Sequence, residues 1–453
     1  MKILFITDLY PIEAGETTTP VTLHNFVKEW IKQGHEVKVI KPNFLFNSFL
    51  RGKPFYKTGF YEFDGVQIFN VNYFTPFLFN VARKLLKYGI RENGKLSLRG
   101  GSEVADEAIQ KENSSLLTSH SSLLSSHYDV IIAHMPSGVM FANKITSNKG
   151  LGVNVPLVCG VHASDIEVLT NPIYGIYFKK QLENAYKKAK KIACRSFVLQ
   201  KKFNELMPDC VHKTFVASSG VNAGIIAKCK VQRAKCEREM GNREGEIENN
   251  TPFTDYRLPF TVLTCANLIK RKNIDKLILA VNDLDGFELK IIGDGKELKN
   301  LQNLTPRPLR QILFLANLRA LDGRVSACPI ERAGVRGKIQ FLGRLPHEKV
   351  LEEMQKADIF ILPSVNESFG MVYLEAMAVG CVTVCTKNDG IDGIIKDEEN
   401  GFLCEPTVEG IKETLLRIKT HENLEKILEN SFETVKQYTP ENCAKIYLKN
   451  IIE

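Results

Sequence analysis

The chain has 453 residues, 44% of them hydrophobic and 25% charged, with a net charge of +8. That length suits two domains, and the composition excludes a largely disordered chain, a collagen-like repeat and a coiled-coil fibre. No run of about 18 apolar residues occurs, so no membrane-spanning helix is expected, and the segment from Met1 turns acidic at Asp8, too early for a signal peptide. The eleven cysteines, with no Cys-x2-Cys pair and no zinc-type His spacing, read as reduced, mostly buried thiols of a protein in the cytosol or on the cytosolic face of a membrane.

Residues 3–40 read as strand, loop, helix and strand. Ile3 to Ile6 is a short apolar run, and the loop from Tyr10 to Thr19 holds Pro11 and Gly15. The helix carries Leu23, Phe26, Val27 and Trp30 at helical spacing and stops at Gly34, and Val37 to Ile40 is extended again. Such a βαβ unit requires a parallel sheet. Val130–Ala133, Leu157–Gly160 and Lys191–Cys194 repeat the pattern, each before a turn and a helical segment. Residues 41–100 hold ten Lys or Arg against three acids, interleaved with Phe44, Phe46, Phe49, Phe55, Phe60, Phe74, Phe77 and Phe79. That mixture suits an anionic membrane, an anionic lipid-linked substrate or nucleic acid, and equally a solvated surface. A second basic run, Lys179 to Lys191, reads as the solvated face of a helix. The stretch 91–127 is Ser-rich without readable boundaries, and 223–256 turns polar and Glu-rich, as expected of a linker or inserted loop between two halves.

The second half repeats the alternation. Phe260–Leu263 is a strand, Ile274–Val281 a helix, and Glu288–Ile292 a strand ending at Gly293-Asp294-Gly295. After an irregular insertion at 303–336, strands recur at Ile339–Leu342, Ile359–Leu362 and Val382–Val384, and the chain closes on an amphipathic helix, Pro440 to Ile452. The fold class is therefore α/β, in two successive halves.

Chemistry concentrates between Pro363 and Gly380. A buried-type strand, Ile359–Leu362, ends in a turn through Asn366, Glu367 and Gly370, and an apolar helix follows, Met371 to Val379, stopped by Gly380. Glu375 is the one charge in that helix. A carboxylate there is costly unless it is paired or hydrogen-bonded. A diol, with two adjacent hydroxyl donors, would satisfy both oxygens, and so would a buried Lys or Arg. Ligands bind at the carboxyl ends of strands in open α/β sheets, and helix amino termini favour phosphate. Glu367, eight positions before Glu375, lies in that turn.

The segment Glu367-Ser368-Phe369-Gly370, with Glu375 and Gly380 following, resembles the Glu-x7-Glu motif of retaining GT-B glycosyltransferases, and the chain is similar to glycosyltransferase family 4. Met1 to Pro11 with Gly34 to Val37, Gly160 to Ile166, Ser219 to Asn222, Gly293 to Gly295 and Asn400 to Leu403 resemble further segments of that family in the same order. The resemblance implies a GT-B fold of two Rossmann-like domains with a cleft between them. An acceptor-side domain would occupy 1–222, a linker 223–257, a nucleotide-sugar domain 258–435, and a helix crossing back to the first domain 436–453.

It also implies roles for individual residues. Glu375 would take the ribose hydroxyls of a nucleoside-diphosphate sugar, and Glu367 would orient the donor sugar. Backbone amides at Phe369 and Gly370 would approach the sugar and the distal phosphate, Gly15 would allow close backbone approach to the diphosphate, and Ser368 and Gly293 would also bind the donor. Lys272, helped by Arg271, would bind the diphosphate and stabilise the leaving group, whose charge grows in the transition state. No metal or other cofactor would be required. His162 alone reads as a structural histidine after a strand; by resemblance it faces the cleft and contacts the donor sugar or reacting centre, with Asp165 holding its ring or binding an acceptor hydroxyl. One position departs from the family: Asn267 stands where an Arg is usual, five residues before Lys272.

The expected activity is transfer of a sugar, with retention, from a nucleoside-diphosphate sugar to an acceptor hydroxyl. The acceptor would be a glycan or a lipid-linked molecule, in assembly of a cell-envelope glycan such as capsule or lipopolysaccharide. The partners are then a nucleotide sugar, that acceptor and an anionic membrane surface, with no nucleic acid. A nucleotide-sugar epimerase of the same fold and a lapsed sugar-nucleotide binder are the alternatives.

Overall fold

The computed structural model describes residues 1–11, 21–44, 58–73, 127–147, 155–172, 178–222, 224–225, 259–305 and 338–453. Gly15, the Ser-rich stretch up to 126, and most of the expected linker, the insertion and the basic, Phe-rich segment lie outside the described residues. The chain divides into two compact units, one of Met1–Arg195, Gln200–Ala217 and Ala444–Glu453, the other of Ser196–Leu199 and Ser218–Cys443.

The first unit runs β1 (Lys2–Ile6), α1 (Thr22–Lys32), β2 (Glu36–Phe44), β3 (Gly59–Phe63), β4 (Val66–Tyr73), β5 (Val130–His134), α2 (Met135–Ser147), β6 (Leu157–Val161), α3 (Ala163–Thr170), α4 (Lys180–Lys188), β7 (Lys191–Cys194), α5 (Phe197–Leu206), whose first residues, to Leu199, belong to the second unit, and β8 (Thr214–Val216). Its sheet has the order β3-β4-β2-β1-β5-β6-β7-β8. β1, β5 and β6 are almost entirely buried, as continuous Val/Ile/Leu runs covered on both faces must be. Leu23, Phe26, Val27 and Trp30 form the buried face of α1, and Gly34, at φ +85°, ends that helix in the left-handed region. The lysines of α4 lie on its exposed side, with Leu182, Ala185 and Tyr186 inward.

Within the basic segment the structure holds an element that the charge pattern did not suggest. β3 and β4 pair antiparallel, with Phe63 opposite Val66. The turn between them is Asp64-Gly65, with φ of +51° and +76°, the dipeptide that a tight hairpin turn demands. Phe60 points outward at 60% exposure while Phe69 is buried, so the aromatic residues described here divide between core and surface.

The second unit runs β9 (Phe260–Cys265), a 3-10 turn at Lys270–Lys272, α6 (Ile274–Asn282), β10 (Phe287–Ile292), α7 (Leu298–Gln302), β11 (Ile339–Gly343), α8 (His347–Lys356), β12 (Ile359–Leu362), α9 (Met371–Val379), β13 (Val382–Thr386), β14 (Phe402–Cys404), α10 (Val408–Lys419), α11 (Leu424–Gln437) and α12 (Pro440–Ile452), whose last residues, from Ala444, belong to the first unit. The sheet order is β11-β10-β9-β12-β13-β14, and the pairings are parallel. This is the doubly wound Rossmann order, which reverses between β9 and β12. The loops leaving those two strands therefore diverge, and the crevice between them is where such sheets take ligands.

No helix among the described residues is long and apolar enough to cross a membrane. The described cysteines are free thiols, all buried except the half-buried Cys265.

Candidate active site

In the second unit, the loop after β9 and the loop after β12 are joined at the switch point. Asn273 adopts φ +51° at the start of α6, and its Nδ2 donates to Pro363 O at 2.9 Å. Val365 N donates to Arg271 O at 2.8 Å. These bonds bring Lys272 against Glu367. Lys272 is 8% exposed, and its ammonium donates to Oε2 of Glu367. Ser364 Oγ donates to the same oxygen at 3.3 Å, and Arg271 Nη1 lies 3.8 Å from it. Arg271 also donates to Asn366 O at 3.2 Å. Behind the pair, the Glu367 amide donates to the Asp389 carboxylate at 3.1 Å. Burial alone would raise the Glu367 carboxyl; the charge of Lys272, then Arg271 and the Ser364 hydrogen bond, hold it below the usual range.

The turn then enters α9 through Gly370 at φ +87°. A Cβ there would overlap the Tyr373 ring, and Tyr373 is locked, buried, with its hydroxyl on Leu362 O at 2.7 Å. No side chain caps the amino end of α9, which leaves first-turn amides for an anion. The Phe369 side chain is core, so any ligand contact there falls to its backbone. Gly293 (φ +134°) ends β10 against β9, where a Cβ would collide with Ala266 O. Its residue type is thus set by packing at the switch point. Asn267 is exposed. Arg271 is the described cation that reaches the Lys272–Glu367 pair.

Among the described residues, Glu375, one turn into α9, is partnered by neither Lys nor Arg. His347 Nε2, at the start of α8, lies 2.9 Å from its Oε1. That hydrogen bond raises the imidazole above its ordinary value, against the effect of partial burial. Sequence reasoning missed His347, since no spacing rule links residues on different helices.

In the first unit, His162 follows β6 and precedes α3. Its Nε2 is 2.9 Å from Nδ1 of His134, the last residue of β5, and His134 Nε2 is 2.9 Å from the Tyr447 hydroxyl on α12. Burial, with the charge of Arg195, pushes His162 down to about 3; burial, with His162 and Arg195, holds His134 well below 6.5. Both rings are neutral at ordinary pH. Asp165 does not hold the His162 ring. It is fully buried, its Oδ2 accepts from the His162 amide at 2.9 Å, and its Oδ1 accepts from Tyr186 Oη at 2.7 Å. Burial pushes its carboxyl up to about 7, against those two hydrogen bonds. A residue so enclosed shapes the turn that carries His162 and is not placed to meet an acceptor hydroxyl.

Residues 325–433 match the family model for glycosyl transferases group 1. An uncharacterised glycosyltransferase of Methanocaldococcus jannaschii is 29% identical over 343 residues, 75% of this chain and 76% of that one. The lipopolysaccharide core biosynthesis glycosyltransferase LpsE of Rhizobium meliloti is 28% identical over 191 residues, 42% of this chain and 48% of that one. Among solved structures, Anabaena HepE in complex with UDP superposes with a TM-score of 0.57 at 16% identity, covering 100% of both chains. The fold is that of the GT-B glycosyltransferases. Within that class, residues 325–433 are similar to the group 1 glycosyl transferases.

Proposed function

We propose that this protein transfers a sugar, with retention, from a nucleoside-diphosphate sugar to an acceptor hydroxyl. The observation that carries the reading is the buried Lys272–Glu367 pair, with Arg271 beside it, at the point where the sheet order reverses. Lys272 and Arg271 supply positive charge where the diphosphate leaves, and a fixed cation in a water-poor site lowers that barrier. Held charged by them, Glu367 accepts hydrogen bonds from the donor sugar. Glu375 takes the ribose hydroxyls, and the uncapped amides of α9 receive phosphate. With two cations in place, the transfer proceeds without a metal. Neutral His162 contacts the donor sugar or the reacting centre as a hydrogen-bonding group, not as a cation.

That HepE was solved with UDP and with UDP-glucose, and that a structural neighbour from E. coli carries UDP-2-fluoro glucose, supports a nucleotide-sugar donor. The resemblance to LpsE supports a cell-envelope glycan as product. The ten basic residues among 41–100 support an anionic or lipid-linked acceptor, met by a cytoplasmic protein at the inner face of a membrane.

The test is thermal stabilisation by UDP, GDP, ADP and their sugars, on the wild type and on Glu375→Ala. A ligand bound to the folded state raises Tm by mass action. One nucleotide should raise Tm in the wild type and lose that effect in the variant. A folded wild type that responds to none of them would overturn the reading.

A further inference from the structure

Glu375 is the sole charge on α9, and its side chain is 17% exposed. The hydrogen bond described for its carboxylate comes from His347, whose side chain is 59% exposed. Lys272, a buried cation of the site, is committed to Glu367. A ribose diol needs both carboxylate oxygens, and one of them is already occupied, by a ring with open solvent beside it.

We propose that His347 is a latch on the ribose carboxylate: it holds Oε1 of Glu375 while the donor site is empty and gives that oxygen up to the ribose hydroxyls when a nucleoside diphosphate binds. The inference rests on the assignment of Glu375 to the ribose. Its geometry fits the sheet. Glu375 acts on the thiol of Cys265 at the carboxyl end of β9, which burial and then this carboxylate push up to about 12. The carboxylate therefore lies near the switch point where a nucleotide enters. Among the described residues, the charged groups acting on His347 are Glu375 on α9 and Glu348 on its own helix; both are acids and both favour the imidazolium. The His347 side of the pair is open to solvent, where an ion pair contributes little net stability, so the ring leaves at small cost once hydroxyls replace it.

The latch couples donor binding to a proton. Losing Glu375 returns the imidazole toward its ordinary value, so binding expels a proton near neutrality and strengthens as pH rises through the raised His347 value. The experiment is calorimetric titration of the nucleotide that stabilises the protein, at pH 6.0 and 8.5, on the wild type, His347→Ala and His347→Gln. The nucleotide's own phosphate titrates near pH 6, so the comparison between proteins is the readout. At pH 6.0 both variants should bind severalfold more tightly than the wild type, and at pH 8.5 about equally, because the raised imidazole is charged only at the lower pH. At pH 7, buffers of different ionisation enthalpy should report proton release by the wild type and less by either variant. Weaker binding by both variants at both pH values, or identical pH profiles, would overturn the latch while leaving the donor site standing. Nucleotide binding unaltered in Glu375→Ala would instead remove the ribose assignment and the latch with it.

Discussion

The imidazole of His134 lies directly against the backbone of Gly160 on the neighbouring strand, so close that a Cβ on Gly160 would overlap Nδ1, Cε1 and Cγ of the ring. β5 and β6 pair in parallel with His134 opposite Gly160, and the glycine opens the space from which His134 reaches His162. Gly160→Ala should displace the His134 ring and break its 2.9 Å bond to His162. The overpacking should cost about 1–3 kcal/mol, read as a lowered Tm, with sugar transfer reduced further than stability alone explains. Unchanged transfer by a folded variant would show that this contact does not position His162.

The two neutral histidines predict an acid-sensitive fold. An unfolded histidine titrates near 6.5, whereas His162 is pushed down to about 3 and His134 well below its ordinary value. Between those limits the unfolded chain binds protons that the folded chain refuses, so this contribution to stability is complete above pH 6.5 and falls away as pH drops toward 3. Tm should decline steadily below pH 6.5, and His134→Asn should flatten that decline. An equal slope in the variant would assign the acid sensitivity elsewhere.

Glu367 and Lys272 should separate structure from catalysis. Glu367→Ala leaves a buried ammonium without its counter-ion, at a cost of about 3–5 kcal/mol. Glu367→Gln keeps an acceptor for Lys272 and Ser364 and should cost much less, yet still lower kcat about a hundredfold if the carboxylate orients the donor. Urea unfolding and steady-state kinetics on the two variants check both statements.

Charge on the leaving diphosphate should come from the chain itself. Lys272→Met should lower kcat by about 10²–10³, and Arg271→Met by less, since Arg271 is 44% exposed. Treatment of the wild type with EDTA should leave the rate unchanged. A rate abolished by EDTA and restored by a divalent cation would assign the leaving-group charge to a metal.

A membrane-bound acceptor makes a further expectation for the basic segment. Wild-type protein should bind vesicles containing anionic lipid at low salt and release them as salt rises past the screening range. Reversing charge at Lys53, Lys57, Arg83 and Lys84 should abolish that binding.

Local physics made much of this molecule legible before any coordinates. Met371 to Val379 could be bounded as a helix because an apolar run broken only by Glu375 lies between two glycines, and Gly370 and Gly380 do adopt left-handed backbone there. The strands Val130–His134, Leu157–Val161 and Ile359–Leu362 announced themselves as buried parallel strands because both of their faces are covered. The β3–β4 hairpin was equally local, signalled by Asp64-Gly65, but the basic and aromatic composition around it suggested a surface and hid the turn.

Sequence alone thus determined the α/β alternation, the ends of helices and the carboxylates Glu367 and Glu375, because periodicity, glycine conformations and the cost of a charge in an apolar helix act within a few residues. Tertiary structure alone decided which groups meet. His347 and Glu375 are 28 residues apart, and His134 and Tyr447 are 313 apart. Asp165 looked like a partner for the His162 ring until folding turned it to the backbone amide and Tyr186. Such pairings follow from strand order and from the packing of one element on another, and no short-range pattern encodes them.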